Sequence, residues 1–150
     1  MRILLPLLAL LLLPACTIIF QDTTSPAESV ELGGGRAVPP GLTESGPLIC
    51  EGNDELRVEG LYIVGDGPGI HALDNCDLWI VGSVIDVRGV ALRVDGNGDV
   101  HVQDSQLLGT DAAFVINGNG DLRVSGSVFT GRREIAGNGE LHDDGNNTFN

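Results

Sequence analysis

Apolar residues recur at a spacing of 22 residues from Leu48 to near the end of the chain. Within each repeat two pairs of apolar positions lie two residues apart, which is the spacing of side chains on one face of a β-strand. The recurring sets are Leu48, Ile70, Leu92 and Phe114; Cys50, Ala72, Val94 and Ile116; Leu56, Leu78, Val100 and Leu122; Val58, Ile80, Val102 and Val124; and Ile63, Ile85, Leu107 and Phe129. Because glycines interrupt the segments between them, the pattern predicts three short strands in each repeat.

A repeat of 22 residues with three short strands corresponds to one coil of a parallel β-helix, in which equivalent residues of successive coils stack along the axis. Helical repeats need about 33 residues or more and a different apolar spacing. We therefore predict an all-β fold, a single-stranded right-handed parallel β-helix solenoid of about five coils over residues 46–150.

One polar set has the same spacing and predicts a stack of asparagines at a turn. Asparagine tolerates the left-handed backbone region, and stacked side-chain amides can bond from coil to coil. The set is Asn53, Asn75, Asn97, Asn119 and, after a shorter repeat, Asn138. The flanking glycine-rich turns resemble those of the calcium-binding nonapeptide roll. That roll has a nine-residue period, so we predict no metal site of this kind.

The segments that carry a family resemblance are Cys50-Glu51-Gly52-Asn53, Asn75-Cys76, Gly96-Asn97-Gly98 and Gly118-Asn119-Gly120. Over roughly residues 46–150 the chain resembles right-handed parallel β-helix repeats of the pectin-lyase-like kind, and small bacterial lipoproteins of unassigned function that contain such coils. Pectin-lyase-like enzymes have more coils, long inserted loops and a flank of acidic residues with a basic catalytic residue. Since this chain has no long insert, we expect no enzyme activity, no catalytic residue and no cofactor.

Residues 1–15 have the features of an export signal, with Arg2 followed by an apolar run that only Pro6 interrupts. The run is too short to span a bilayer, which takes about 20 apolar residues. Leu13-Pro14-Ala15-Cys16 resembles the bacterial lipobox, which implies a lipidated, palmitate-bearing Cys16. In the proteins it resembles, an aspartate at the next position favours the inner membrane, and Thr17 therefore implies the outer membrane of the cell envelope. An ordinary secretory signal is the alternative.

Residues 16–45 contain Pro26, Pro39, Pro40 and the run Gly33-Gly34-Gly35, which prevent a long helix or strand. We interpret this segment as a disordered tether that reaches roughly 30 Å between the lipidated cysteine and the β-helix domain of residues 46–150.

The charge of the chain excludes one class of partner. There are 21 acidic and 8 basic side chains, a net charge of −13, and every basic residue is arginine. Such a chain is repelled by phosphate backbones, so we expect no nucleic-acid partner. The partners that we predict are the membrane, through the lipid anchor, and a glycan or a cell-envelope protein. We expect the protein to be a monomer.

The basic and aromatic side chains concentrate in one predicted row, which we call the basic–aromatic row: Arg57, Trp79, His101, Arg123 and His142. His71 and Arg93 are expected on the neighbouring strand. Arginines bind carboxylates and an indole ring stacks on sugars, so this face offers a polysaccharide-binding or polysaccharide-acting function. The interpretation that we prefer is a non-catalytic scaffold or interaction protein of the surface or periplasm.

A second predicted surface row is acidic and consists of Glu55, Asp77, Asp99, Asp121 and Glu140. Neighbouring charges about 5 Å apart repel one another, so something must relieve the repulsion. Solvation with help from Arg57 and Arg123 is one explanation, and a shared divalent cation is the other.

Cys50 and Cys76 are the pair left once Cys16 carries lipid, and export places them in an oxidising compartment, which favours a disulfide. The repeat argues against it, because the two cysteines are four positions apart around the coil. Four extended residues cover about 13 Å, whereas bridged Cα atoms lie within about 7 Å. Only a turn that folds the two positions together permits the bond, and both outcomes stay open.

Overall fold

The structure, a computed structural model, describes residues 36–150. The predicted signal segment, Cys16 and most of the predicted tether lie outside the described residues. The described part is all β and contains no helix, and its fourteen strands pair in parallel throughout. They wind into a parallel β-solenoid of about five coils with three faces, which confirms the predicted fold class.

The first face contains β1 (Thr43–Ser45), β4 (Leu61–Asp66), β7 (Val84–Arg88), the first parts of β10 (Gln106–Gly118) and β12 (Val128–Gly137), and β14 (Thr148–Phe149). The second face contains β2 (Leu48–Cys50), β5 (Ile70–Asp74), β8 (Val90–Gly96) and the remaining parts of β10 and β12. The third face contains β3 (Glu55–Glu59), β6 (Asp77–Val81), β9 (Val100–Gln103), β11 (Leu122–Ser125) and β13 (Leu141–Asp143).

The strand register reproduces the sequence repeat in the central coils. Ile63 pairs with Ile85, Leu78 with Val100, and Leu92 with Phe114, each pair 22 residues apart. The last coil is shorter, since Ile116 pairs with Ile135 across a gap of 19 residues.

The five apolar sets point inward and form the core. Ile63, Ile70, Leu78 and Phe129 are fully buried, and Phe114 is 1% exposed. Each such side chain stabilises the fold by about 1.5–3 kcal/mol through the removal of apolar surface from water. Leu48 and Leu56 in the first coil are only partly buried, because no further coil of the described residues covers them.

Glycines flank the asparagine positions because successive coils approach one another closely there. A Cβ atom at Gly98 would collide with the carbonyl oxygen of Cys76, and one at Gly120 would collide with that of Gly98. A side chain at either position would force the coils apart. This steric limit explains why glycine recurs on both sides of the asparagine in the Gly-Asn-Gly repeat.

Residues before position 46, the predicted start of the β-helix domain, also pair with the solenoid. Strand β1 pairs with β4, and the Thr43 backbone N–H donates a 3.0 Å hydrogen bond to the Gly60 carbonyl oxygen. Further upstream, Arg36 forms an ion pair with Asp86 on the first face. Part of the predicted tether therefore belongs to the solenoid. The spacing of 22 did not reveal it, because Thr43 and its partner Leu61 are 18 residues apart.

Candidate functional site

The asparagine set forms a continuous ladder of side-chain amides at one corner of the solenoid. Each Nδ2 atom donates to the Oδ1 atom of the asparagine one coil earlier: Asn75 to Asn53 at 2.8 Å, Asn97 to Asn75 at 3.2 Å, Asn119 to Asn97 at 2.7 Å, and Asn138 to Asn119 at 2.9 Å. The predicted stack is confirmed. Its amides bond to one another from coil to coil, so this corner holds neighbouring coils together.

The acidic row is held by contacts that the sequence analysis did not anticipate. Oδ1 of Asp77 accepts the Asp99 backbone N–H at 2.9 Å, and Oδ1 of Asp99 accepts that of Asp121 at 3.0 Å. Asp121 in turn accepts the Glu140 N–H at 3.1 Å. This backbone bond, with one from His142, lowers the pKa of Asp121 below its usual range. Backbone donors thus relieve part of the repulsion along the row.

The arrangement of acidic side chains bears on the shared cation considered for the acidic row. Within residues 36–150 there is no group of three or more histidine, cysteine, aspartate or glutamate side chains arranged to hold a metal ion. Each inner member of the acidic row has one carboxylate oxygen committed to the next coil, which leaves fewer oxygens for a cation.

The basic–aromatic row lies on the third face in the predicted order. The register pairs Arg57 with Trp79, Trp79 with His101, and His101 with Arg123, and His142 follows as the partner of Arg123. The Trp79 and His101 rings are stacked, with centroids 5.0 Å apart and planes 7° from parallel. At one end of the row, Arg57 forms a 3.0 Å ion pair with Glu59.

This geometry limits what the row can bind. Because His101 covers one broad face of Trp79, that face is closed to a sugar ring, which would otherwise stack on it. Two concavities of the described part of the chain lie elsewhere, one at the first coil and one on the first face beside Asp86 and Thr130. No residue of the basic–aromatic row lines either of them.

His71 and Arg93 lie on the second face, where they converge on an aspartate that the sequence analysis missed. Oδ2 of Asp95 is 2.7 Å from His71 Nε2 and 2.6 Å from Arg93 Nε, and its Oδ1 accepts the Asn117 amide at 2.8 Å. The Arg93 bond is the main reason that the pKa of Asp95 lies well below its usual range. Asp95 and Asn117 are also 22 residues apart, so the repeat could have predicted that these two side chains lie next to each other.

The structure joins Cys50 and Cys76 in a disulfide, with Cα atoms 6.0 Å apart. The distance of about 13 Å for an extended chain does not apply, because the chain turns from β2 to β3 after Cys50, where Gly52 has a φ of 74°. Both cysteines are buried, and the bond fastens the first coil to the second.

A buried serine ladder also escaped the sequence analysis. Ser83, Ser105 and Ser127 are the buried polar residues of the described chain. The Ser83 N–H donates to Ser105 Oγ and the Ser105 N–H to Ser127 Oγ, both at 3.1 Å. In the last coil, Oδ1 of Asn147 replaces the hydroxyl and accepts the Ser127 N–H at 2.8 Å. The spacing of 22 also marks these serines, which a search for apolar positions passes over.

These features define a class of protein by fold, a parallel β-solenoid of about five coils whose corners are held by polar ladders. Comparison with known proteins finds no matching protein-family model, curated protein or solved structure.

In the part of the chain that the structure describes, no helix is long and apolar enough to cross a membrane.

Proposed function

We propose that this chain is an exported, lipid-anchored and non-catalytic β-solenoid that acts as a scaffold or interaction protein at the bacterial cell envelope. The observation that carries the proposal is that polar side chains of the asparagine ladder, the acidic row and the Asp95 cluster bond to a neighbouring coil. The proposal includes lipidation at Cys16, an outer-membrane location and a relation to bacterial lipoproteins with right-handed, pectin-lyase-like repeats.

The polar clusters support a structural role for the solenoid faces. A catalytic site needs a nucleophile or a general acid–base pair directed at a reacting atom, in a cavity that limits access of water. Here Asp95 is bonded by three side chains, and Asp99 and Asp121 bind backbone N–H groups. These contacts stiffen the coils and leave the acids poorly placed for proton transfer to a substrate.

The anchoring proposal rests on the sequence around Cys16. Two or more acyl chains at about 0.8 kcal/mol for each buried methylene hold a protein on a membrane, whereas a single chain binds only reversibly. Residues between Cys16 and Arg36 then separate the solenoid from the lipid.

The test of anchoring is cell fractionation combined with labelled palmitate. We expect the wild type to sediment with membranes and incorporate label, and Cys16→Ala to lose both properties. Thr17→Ala is the matched control, since it alters the adjacent residue and leaves the thiol in place. Equal membrane partitioning of the wild type and Cys16→Ala would end the lipoprotein proposal.

Polysaccharide binding by Arg57, Trp79, His101 and Arg123 is the second candidate, because these four residues do lie in adjacent register on one face. A glycan array probed with the purified protein separates the two candidates, and the scaffold proposal predicts no saturable binding. A bound glycan that is lost in Trp79→Ala/Arg123→Ala and kept in Arg88→Ala, on the first face, would establish the second candidate instead.

A further inference from the structure

The first coil ends the described solenoid with open strand edges. Strands β1, β2 and β3 each pair with one strand of the next coil, β4, β5 and β6, and no other described strand pairs with them. A parallel strand directs alternate N–H and C=O groups toward each side, so an edge strand offers a row of groups for a further strand. Repeat proteins generally need a polar cap at such an end.

Apolar surface is exposed beside these edges. Ile49 on β2 is 64% exposed, the largest exposed fraction among the large apolar side chains of the described residues. Next to it lies a concavity of about 380 Å³, lined by Ile49, Cys50, Glu51, Asp54, Glu55 and Leu56. Leu56 is only partly covered, so an incoming apolar side chain would extend the core by one layer.

The rim of the concavity is acidic. Glu51, Asp54 and Glu55 are exposed and line it, and none of them forms an ion pair within the described residues. The basic side chain of this coil, Arg57, is paired with Glu59. A segment that docks here must therefore bring positive charge as well as an apolar side chain.

The negative charge of the rim argues against two candidates that this protein could itself supply for the concavity. One is its own segment before the solenoid, and the other is a second copy of the chain. Residues 17–35 contain Asp22, Glu28 and Glu31 and no arginine or lysine, so the acidic rim repels them. Two first coils placed edge to edge would oppose the same three acids. The C-terminal end of a second copy exposes Glu140, Asp143 and Asp144 beside Leu141, so it would also meet the acidic rim with like charge.

We propose that the first-coil edge is a docking site for an extended segment of another protein that carries arginine or lysine beside an apolar side chain. The edge of β2 or β3 would supply main-chain hydrogen bonds, the concavity would take the apolar side chain, and the rim would pair with the cations. The inference rests on the proposed interaction role and assigns it to one surface.

The experiment uses the full chain in detergent and a fluorescent nine-residue peptide in which arginine and valine alternate, with a glutamate–valine peptide as the negative probe. We expect saturable binding of the basic peptide, followed by fluorescence anisotropy, and weaker binding in high salt. Glu51→Arg/Glu55→Arg should raise the Kd at least tenfold. Asp111→Arg/Asp144→Arg, which changes the net charge equally at exposed positions outside the concavity, should keep the Kd within twofold.

Each contrary result overturns the proposal. Equal weakening in both double variants would show non-specific attraction to the acidic chain, and absence of binding would remove the site. A tenfold tighter Kd after deletion of residues 22–35 would show that the chain covers its own edge. A concentration-dependent dimer that Glu51→Arg/Glu55→Arg abolishes would assign the edge to a second copy. Thermal unfolding verifies that the variants fold, and fractionation of Cys16→Ala tests anchoring independently.

Discussion

At the C-terminal end of the solenoid, aromatic rings stack along the core, whereas at the N-terminal end a disulfide fastens the first coil to the second. Phe114 meets Phe129 edge to face with centroids 5.7 Å apart, and Phe129 stacks on Phe149 at 5.1 Å. Arg133 lies over Phe149 and places a charge at the end of the stack. The first coil has no aromatic ring in its apolar sets and leaves Leu56 partly exposed.

The difference shows two ways to keep a terminal coil in place. The C-terminal end buries large side chains and finishes with a cation, so its stability comes from packing. At the N-terminal end, the bond between Cys50 and Cys76 holds the first coil to the second. An end held in this way can remain available to a partner.

The largest expected effect follows from removal of a ring from the C-terminal stack. Phe114→Ala deletes a fully buried side chain and leaves a cavity, so we expect the free energy of unfolding in urea to fall by about 3–5 kcal/mol. A loss of that size would unfold a domain of marginal stability. The matched control at the open end is Ile49→Ala, which should change the free energy by less than about 0.5 kcal/mol. A loss below about 1 kcal/mol for Phe114→Ala would contradict the packing account.

The next effect concerns the N-terminal end. Cys50→Ala/Cys76→Ala should cost about 3 kcal/mol, because the bond closes a loop between residues 26 positions apart and restricts the unfolded chain. Hydrogen exchange should accelerate in β2 and β3 and stay unchanged in β11 and β13. The wild type with the bond reduced is the control and should behave like the double variant. Uniform acceleration over all coils would show that the two ends are not independent.

The smallest effect concerns the terminal cation. Arg133→Ala should lower the free energy of unfolding by about 0.5–1 kcal/mol, the usual contribution of a cation–π contact at a partly exposed site. Exchange in β14 and the end of β12 should rise. Arg132→Ala removes a charge of the same sign from an exposed pair with Glu134 and should have almost no effect on stability. Equal effects of the two variants would argue against a capping role for Arg133.

The repeat could be predicted because one coil is a local pattern copied along the chain. Leu92 and Phe114 stack because both follow the same sequence of strands and turns, so the spacing of 22 residues gives strand order, register and burial together. The asparagine ladder follows from the same spacing. The serine ladder also follows from it, although it was missed.

The sequence analysis left open or missed the features that depend on how the chain bends between strands. The distance between Cys50 and Cys76 depends on a turn, and the neighbours of His71 depend on which face each strand occupies. The early start of the domain at β1 depends on a coil that breaks the period.

The sequence by itself determined the solenoid, its inward side chains and the asparagine ladder, because side-chain alternation and a constant period act coil by coil. The tertiary structure decided the disulfide, the pairing of Asp95 with His71 and Arg93, and the stacking of Trp79 on His101, which closes one face of the indole. These are distances between side chains that meet only after the chain has turned a corner or wound a full coil, and no spacing along a single strand specifies them.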